Sequence, residues 1–460
     1  MEKKQKIYTP MAWRYGITNG FSTLLTTVAS TYFLFFMTDA AGVPAAIAAT
    51  VLTIGSTVDL ISVPIIGVVM QKVNLKGGKF RPWLLIGTIG ACIGRVLSFT
   101  SPGKGEGWGL GAWFLAFYIL AYLCFNFAYS AYTGLLPLLA TDPLERQGYS
   151  AARVTCNSVG KFLFSLTSVG LIAFFGKGND ARGYTMLALL IAVLCFIGFF
   201  QLWLGVKGID VVETTTSKGK PVEDQYKASI WEMIKYTLTG PYILYLLGAT
   251  CKDATYFIVT GLAPYYYTYV AGDKSMLTTY LSLSTFLMIG ASFVSPYVQK
   301  AVKNSKTVYA LGLGIYAVCL ALAYFIGKTP IAFTILLAAG YIGYAFAHAI
   351  ESTVYASLVD YTQWKHDRDL KPFMMTLFSL VPKIGTTVGS AVSGFGLVAI
   401  GFDKANVTPE AAQGVRVLFS AVPAILLAIG IVMFIIFPLT DDRVRELQAE
   451  IKARKAAKEA

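Results

Sequence analysis

The sequence contains few charged residues for its length. Only 14% of its 460 residues are Asp, Glu, Lys or Arg, whereas soluble domains carry roughly 25%. Hydrophobic residues make up 55% of the chain, and the mean hydropathy is +0.60. This composition excludes an ordinary soluble domain and predicts an integral membrane protein that is surrounded by the lipid bilayer.

Residue types that build catalytic and metal sites are also scarce. The chain has two histidines, one in an apolar stretch and His366 in a polar loop, and its six cysteines all lie in apolar stretches without CxxC spacing. Such cysteines are typical of small core residues rather than disulfides or metal ligands. The phosphate-binding GxxxxGK[ST] motif is missing, so ATP-driven pumping is not expected. We therefore expect no enzyme, no metal site and no cofactor.

Twelve apolar stretches are long enough to cross a bilayer as helices, which takes about 20 residues. They predict an all-α membrane protein with twelve transmembrane helices, near residues 14–38, 45–71, 83–100, 110–139, 154–176, 184–206, 237–271, 276–299, 307–327, 330–359, 373–401 and 413–438. The start of the chain has no short apolar segment followed by a small-residue cleavage site. The first stretch is therefore expected to remain as a span.

The longest polar segment, 207–231, divides these stretches into two sets of six. We predict an N-terminal six-helix bundle at 1–206, a central cytoplasmic linker at 207–231, a C-terminal six-helix bundle at 232–438 and a basic cytoplasmic tail at 439–460. The tail has amphipathic spacing and either lies on the membrane surface or is solvated. Two such halves are the plan of major facilitator transporters.

Lysine and arginine are distributed unequally between the two sides of the membrane. Of 38 such residues, 26 fall in segments on the side of both termini and 7 on the other side. Because cytoplasmic loops are enriched in positive charge, both termini are predicted to be cytoplasmic in a multi-pass protein of the cell membrane. The same bias accounts for the net charge of +13 without nucleic acid as a partner.

Asp59 lies deep within the second apolar stretch. A carboxylate at the bilayer centre costs roughly 2.5 to 3.5 kcal/mol on insertion scales, so such a residue indicates a functional site. The alternative is a structural ion pair with a lysine of a neighbouring helix. A short basic turn that contains Lys79 and Arg81 follows this stretch.

Several motifs together resemble the glycoside–pentoside–hexuronide:cation symporter family, over nearly the whole chain. The most specific is Asp59-x-x-x-x-Pro64 followed by Gly78-Lys-Phe-Arg-Pro-Trp83; others include Asp142-x-x-Glu145-Arg146, Arg153, and Asp360-Tyr361. The resemblance implies a major facilitator fold and cation-coupled import of a small glycoside, sugar or uronide by alternating access. It implies gating and packing roles for Lys79, Arg81, Asp142, Glu145, Arg146 and Asp360.

The resemblance also implies a cation site formed by Asp59, Ser62 and Asn126, with Lys383 nearby. The family pattern has a second aspartate where this chain has Val63. Because sodium prefers several hard oxygen ligands, this departure favours a proton as the coupling cation over sodium. A facilitator without tight coupling is a further alternative.

The positions that bind sugar in the resembling family differ here. Thr23 and Tyr129 replace two aspartates, and Thr133 and His348 replace two tryptophans. A galactoside is therefore not expected as the substrate. The sugar site is still expected at the same location as in the family. Phe125 and Tyr129 are candidate platforms on which a sugar ring stacks.

Three polar residues of the fifth stretch, Arg153, Asn157 and Lys161, are spaced four apart and share one helix face. Arg153, Lys161 and two further lysines are expected inside the helix bundle, where they outnumber the three acidic residues. This balance favours an anionic substrate such as a uronide. An arginine binds a carboxylate through two parallel hydrogen bonds. A neutral glycoside remains an equal alternative.

The remaining polar groups allow more than one interpretation. Lys252 and Asp253 are adjacent and about 100° apart on a helix, so they are not expected to pair. Asp253 is a candidate for a substrate hydroxyl or a structural pair. His348 and Glu351, at i and i+3, form either a substrate-site proton relay or a structural pair. Arg95 is expected to extend toward the membrane surface.

The tyrosines near the outer end of the seventh stretch, Tyr265, Tyr266, Tyr267 and Tyr269, are more typical of an interfacial aromatic belt than of a surface on which a sugar stacks. Two other functions compete with transport of a sugar: a membrane sugar sensor and a lysolipid-type transporter on the same fold. The short polar segments argue against a sensor, and the charges of the fifth stretch argue against a lipid. We expect a monomer.

Overall fold

The structure of the protein is a computed structural model. It describes residues 9–73, 75, 77–78, 80–103, 107–139, 143–209, 235–366, 374, 377–404 and 406–459. The predicted central linker lies almost wholly outside the described residues.

Twelve long helices and a C-terminal helix follow one another in the described part of the chain. They are α1 (Pro10–Ala40), α2 (Ala45–Lys72), α3 (Arg81–Ser98), α4 (Trp108–Leu139), α5 (Pro143–Gly176), α6 (Asp180–Gly205), α7 (Gly240–Tyr265), α8 (Ser275–Val302), α9 (Ser305–Ile326), α10 (Pro330–His366), α11 (Leu380–Ala399), α12 (Pro409–Ile436) and α13 (Asp441–Glu459). Among the described residues, nine helices are long and apolar enough to cross a membrane. The predicted all-α membrane protein is confirmed.

Local sequence signals set the helix ends. At the start of α1, the hydroxyl of Thr9 accepts a hydrogen bond from the backbone N–H of Ala12 (3.1 Å), and Pro10 occupies the first helical turn. Both features are favourable because the first N–H groups of a helix have no partner within the helix. The side chain of Asn179 caps α6 in the same way, by accepting from the N–H of Arg182 (3.2 Å).

The chain divides into two compact units. Unit 1 comprises Met1–Thr214, Thr260–Ser282 and Ser390–Ala412, and unit 2 comprises Thr215–Val259, Leu283–Gly389 and Gln413–Ala460. The predicted division into bundles at 1–206 and 232–438 stays a prediction.

Small residues bring helices close together in unit 1. A Cβ atom added to Gly16 would lie 2.6 Å from the carbonyl oxygen of Ala152, and one at Gly94 would lie 2.6 Å from the backbone nitrogen of Ala121. These approaches join α1 to α5 and α3 to α4. Glycine allows such backbone contact between membrane helices, where packing rather than the hydrophobic effect favours association.

A similar close contact at a glycine joins α9 to α10 in unit 2. A Cβ atom at Gly312 would lie 2.6 Å from the carbonyl oxygen of Gly343. On α7, Gly248 packs against the ring of Phe434 in α12. The core of unit 2 is therefore assembled through close helix contacts around α7, α9, α10 and α12.

The C-terminal helix α13 packs against the rest of unit 2. Leu447 is 1% exposed, and Asp441 accepts hydrogen bonds from the N–H (3.1 Å) and the hydroxyl (3.0 Å) of Ser305 at the start of α9. Trp364 of α10 donates to Glu450 (2.6 Å). One side of the helix is therefore docked on the protein, whereas most of its other described residues are exposed. Its position at the membrane surface stays a prediction.

Two expectations about surface anchoring were wrong. Arg95 is 1% exposed, and its guanidinium lies over the rings of Tyr118 (6.0 Å) and Tyr122 (4.8 Å) instead of extending to the membrane surface. Tyr265 and Tyr267, expected in an interfacial belt, are each 0% exposed. In both cases aromatic packing within unit 1 outweighs the attraction of the interface for an amphipathic side chain.

Candidate functional site

The predicted cation-site residues of unit 1 come together in the structure. Asp59 of α2 and Asn126 of α4 are both buried, and the side-chain amide of Asn126 donates to Oδ1 of Asp59 (2.6 Å). The same amide donates to the hydroxyl of Ser62 (3.0 Å), which in turn donates to the backbone carbonyl of Asp59 (2.7 Å). A carboxylate, a hydroxyl and an amide therefore converge between α2 and α4.

This group can hold a proton or a small cation. A buried carboxylate needs hydrogen bonds or a counter-charge, because an isolated charge is expensive away from water. No group of three or more His, Cys, Asp or Glu side chains that could hold a metal ion occurs among the described residues. Lys383 is half-buried on α11 and belongs to unit 2, so its predicted pairing with Asp59 stays a prediction.

A ladder of aromatic rings flanks Asn126 on α4. The rings of Phe125 and Tyr129 stack with centroids 5.6 Å apart, and Tyr129 stacks on Tyr132 at 5.7 Å. Tyr132 in turn stacks on Tyr15 of α1 at 4.1 Å. Phe125 is buried and Tyr129 is half-buried, and their rings form one aromatic stack on α4. Their role as a platform for a sugar ring stays a prediction.

The first residue of the polar face of α5 lies near this aromatic stack. Arg153 is within electrostatic range of the phenol groups of Tyr15, Tyr129 and Tyr132. Farther along the helix, Asn157 and Lys161 are half-buried, and the amide oxygen of Asn157 is buried with no hydrogen-bond partner in the described part of the protein.

The two threonines predicted to contact substrate make hydrogen bonds within their own helices. The hydroxyl of Thr23 on α1 donates to the carbonyl of Asn19 (2.8 Å), and Thr133 on α4 is exposed and donates to the carbonyl of Tyr129 (3.1 Å). A hydroxyl oxygen keeps free lone pairs when it donates to a helix carbonyl. Both can therefore still accept a hydrogen bond from a ligand.

Only some of the residues predicted to have gating and packing roles lie in the described part of the chain. Arg81 donates to the carbonyl of Trp203 (3.0 Å) and lies 4.1 Å from its ring centroid, which joins α3 to α6. Asp360 accepts a hydrogen bond from Gln448 of α13 (2.6 Å). Lys79 and Asp142 lie outside the described residues, and the side chains of Glu145 and Arg146 in α5 also lie outside them.

The ends of α1 and α7 carry polar contacts that the sequence interpretation missed. The last turn of α1, Phe36–Ala40, is π-helical, and a π-helical turn at Tyr266–Val270 directly follows α7. Within unit 1, the hydroxyl of Tyr269 donates to Asp39, and the hydroxyls of Thr38 and Tyr265 are hydrogen-bonded. In the sequence, polar residues and tyrosines lie at the ends of both the first and the seventh apolar stretches. This pattern could have indicated the contacts.

Unit 2 contains a second polar cluster, formed by Lys252, Asp253, His348 and Glu351. The ammonium of Lys252 lies 2.6 Å from Oε2 of Glu351 and 3.2 Å from Oδ1 of Asp253. Nδ1 of His348 lies 3.3 Å from the same Oε2. The side chain of Lys252 is 0% exposed, whereas that of His348 is 62% exposed.

The expectation that Lys252 and Asp253 do not pair was wrong. Their Cβ atoms diverge on α7, but the four-carbon lysine side chain bends toward the carboxylate, because Glu351 of α10 attracts the ammonium to the same point. The long side chain thus overrides the angular separation of adjacent helical positions. The predicted pairing of His348 with Glu351 is present, and the roles of Asp253, His348 and Glu351 in substrate binding stay predictions.

The profile of a known family, described as MFS/sugar transport protein, matches residues 15–441 of the sequence. The chain belongs to this family of membrane transporters. It is 26% identical to the isoprimeverose transporter of Lactiplantibacillus pentosus, over 84% of this chain and 80% of the relative. It is 25% identical to an inner membrane symporter of Escherichia coli (89% and 87%). It is 24% identical to the glucuronide carrier protein homolog of Escherichia coli (97% and 96%).

Solved structures share the fold. The crystal structure of a bacterial homologue of the human lysosomal transporter Spinster, in an inward-facing and unoccupied conformation, superposes with a TM-score of 0.72. The superposition covers 94% of this chain and 97% of that one at 13% sequence identity. The major facilitator fold predicted from the sequence is confirmed, and so is the resemblance to glycoside symporters.

Proposed function

We propose that the protein imports a small sugar, glycoside or uronide together with a proton, by alternating access in the cell membrane. The proton binds at Asp59, with Ser62 and Asn126 as hydrogen-bonding partners and Lys383 as a competing counter-ion. Both termini are cytoplasmic in this proposal, which the unequal distribution of lysine and arginine supports.

The buried Asp59 carboxylate is the observation that carries the proposal. Asp59 is 6% exposed and lies on a helix that is otherwise apolar enough to span a membrane. Ionisable residues in such places are expensive and usually mark ion or proton pathways. The name of the inner membrane symporter of Escherichia coli supports coupled transport.

The hydrogen bonds around Asp59 favour a proton over sodium. Asn126 turns its N–H group, a donor, toward both Asp59 and Ser62. A hard cation such as sodium requires several oxygen ligands around it, whereas here an N–H occupies the space between the two oxygens. Val63 supplies no further oxygen one turn away. A proton needs only the one carboxylate oxygen.

The face of α5 and the ladder of α4 support a sugar as the substrate. Phe125 and Tyr129 offer stacked rings, and Arg153, Asn157 and Lys161 offer charged and polar groups along one helix face. Thr23 and Thr133 add hydroxyl acceptors. A uronide satisfies both parts of this surface, because its ring stacks on an aromatic side chain and its carboxylate binds a guanidinium.

Uptake into proteoliposomes with an imposed proton gradient tests the role of Asp59. In Asp59→Asn the carboxylate is replaced by a group of nearly the same shape that cannot take a proton. We expect gradient-driven accumulation of the transported sugar to fall at least tenfold (about 1.4 kcal/mol). The matched control is Asp442→Asn, whose side chain is 87% exposed on α13, and it should accumulate sugar like the unmodified protein.

Equal accumulation by Asp59→Asn and Asp442→Asn would overturn the assignment of the coupling site. Accumulation that follows a sodium gradient, and ignores a proton gradient, would overturn the choice of cation. The sugar panel should include isoprimeverose and methyl β-D-glucuronide, because they represent neutral and anionic substrates.

A further inference from the structure

The polar cluster of unit 2 has an imbalance of charge. Two carboxylates, Asp253 and Glu351, surround a single ammonium, that of Lys252, and their side chains are 6%, 7% and 0% exposed. With all three ionised and a neutral imidazole at His348, the cluster carries one uncompensated negative charge. Burying such a charge costs several kcal/mol, about 3 to 5 where one partner of a buried pair is missing. One additional proton makes the cluster neutral.

The Glu351 carboxylate can accept that proton. Its Oε1 is buried and accepts no hydrogen bond from the described residues, so the anionic form is incompletely solvated. The other oxygen, Oε2, lies 3.3 Å from Nδ1 of His348. Because the His348 side chain is 62% exposed, its ring connects the buried carboxylate to the outside of the cluster.

Lys252 has two carboxylate partners on different helices. Its bond to Glu351 connects α7 to α10, whereas its bond to Asp253 lies within α7. Protonation of Glu351 removes the charge that holds the first bond, and Asp253, at 3.2 Å, is already placed to take the ammonium. The proton therefore decides whether α7 and α10 are joined by an ion pair.

The surrounding helices add aromatic rings and one further cation. The ring centroids of Tyr309 on α9 and Tyr344 on α10 lie 5.9 and 5.6 Å from the ammonium of Lys252, and the phenol of Tyr245 on α7 faces the two carboxylates. On α11, Gly385 packs directly against Asp253, and Lys383 lies two residues earlier. Both Gly248 and Thr255 of α7 meet apolar or backbone atoms of α12.

We propose that Lys252, Asp253, Glu351 and His348 form a second proton-binding site of the transporter. The N–H bond at Nδ1 of the protonated His348 breaks, an O–H bond forms on Glu351, and the imidazole becomes neutral. Lys252 then transfers its ion pair from Glu351 to Asp253, and the link between α7 and α10 is released. Deprotonation of Glu351 restores it. This site deepens the proposed function and rests on it, because it supplies a second coupled proton.

Infrared difference spectroscopy of the purified protein tests the site without any sugar. In a pH titration the unmodified protein should show a protonated-carboxyl band from Glu351, and Glu351→Gln should lack it. Asp253→Asn should lack it as well, because one ammonium and one carboxylate then balance without a proton. Asp253→Asn keeps the Lys252–Glu351 bond and nearly the same shape beside Gly385, so it decides the matter even if Glu351→Gln does not fold. The control Asp442→Asn should keep the band.

An unchanged band in Asp253→Asn, or in a folded Glu351→Gln, would overturn the proposal. A transport measurement gives an independent check: in weakly buffered proteoliposomes, the number of protons taken up per molecule of isoprimeverose or methyl β-D-glucuronide should fall by one in Asp253→Asn. An unchanged ratio would overturn the second site alone. If the unmodified protein moves no proton with either sugar, the proposed function fails, while the infrared result still decides whether the cluster binds a proton.

Discussion

Replacing Lys252 by methionine tests the energetic account of the unit 2 cluster. The change keeps the length of the side chain and removes its charge, so Asp253 and Glu351 lose their shared partner. At an effective dielectric constant of 20, the attractions across 2.6 and 3.2 Å amount to about 6 and about 5 kcal/mol before desolvation is counted. Desolvation of the lysine offsets part of this gain.

We therefore expect Lys252→Met to lower the free energy of unfolding by about 3 to 5 kcal/mol, the range for breaking a buried ion pair from one side. Unfolding by SDS in mixed micelles, followed by tryptophan fluorescence, measures this difference. Lys452→Met, at an exposed position of α13, is the matched control and should change the free energy by less than about 0.5 kcal/mol.

The double variant Lys252→Met with Glu351→Gln separates charge from packing. Removing one of the two stranded carboxylates should restore at least about 1 kcal/mol relative to Lys252→Met, because groups that share one network are not additive. A Lys252→Met protein as stable as the control, or a double variant that is less stable than the single one, would refute the reasoning. Either result would mean that the carboxylates of the cluster are solvated, or that they take up protons when the ammonium is absent.

Three further outcomes are expected. Gly312→Val should lower the free energy of unfolding by about 1 to 3 kcal/mol, because its Cβ would meet the carbonyl of Gly343 at 2.6 Å; SDS unfolding equal to that of the unmodified protein would contradict the close α9–α10 contact. Leu447→Ala, at a position 1% exposed, should cost about 2 to 3 kcal/mol, whereas Lys452→Ala should cost almost nothing; equal effects would contradict docking of α13. Arg153→Gln should raise the KM of methyl β-D-glucuronide about tenfold more than that of isoprimeverose, because a hydrogen bond to a charged group is worth about 1.5 to 3 kcal/mol. Equal shifts of the two KM values in transport assays would contradict binding of the carboxylate by this arginine.

The architecture could be predicted from the sequence because membrane helices are specified mainly by length and apolarity. The twelve long helices and the major facilitator fold follow from that signal. The grouping of Asp59, Ser62 and Asn126 was predictable for a different reason: it came from the resemblance to a family, and the hydrogen bonds of Asn126 agree with it.

The side-chain geometry was less predictable, because it depends on which helix faces meet. Angular spacing separates Lys252 from Asp253, yet a carboxylate on another helix draws both into one cluster. Arg95 has a chain long enough to reach the surface, and only the rings of Tyr118 and Tyr122 show why it stays buried. Neither case can be derived from one helix alone, since the deciding partner lies far away in the sequence.

The most direct test of proton-coupled sugar import is uptake of labelled isoprimeverose and methyl β-D-glucuronide into proteoliposomes, with proton and sodium gradients imposed separately. We predict that at least one of the two sugars accumulates when a proton gradient is imposed, and that a sodium gradient alone has no effect. Accumulation driven by sodium alone, or equilibration of the sugar that no gradient changes, would contradict the account.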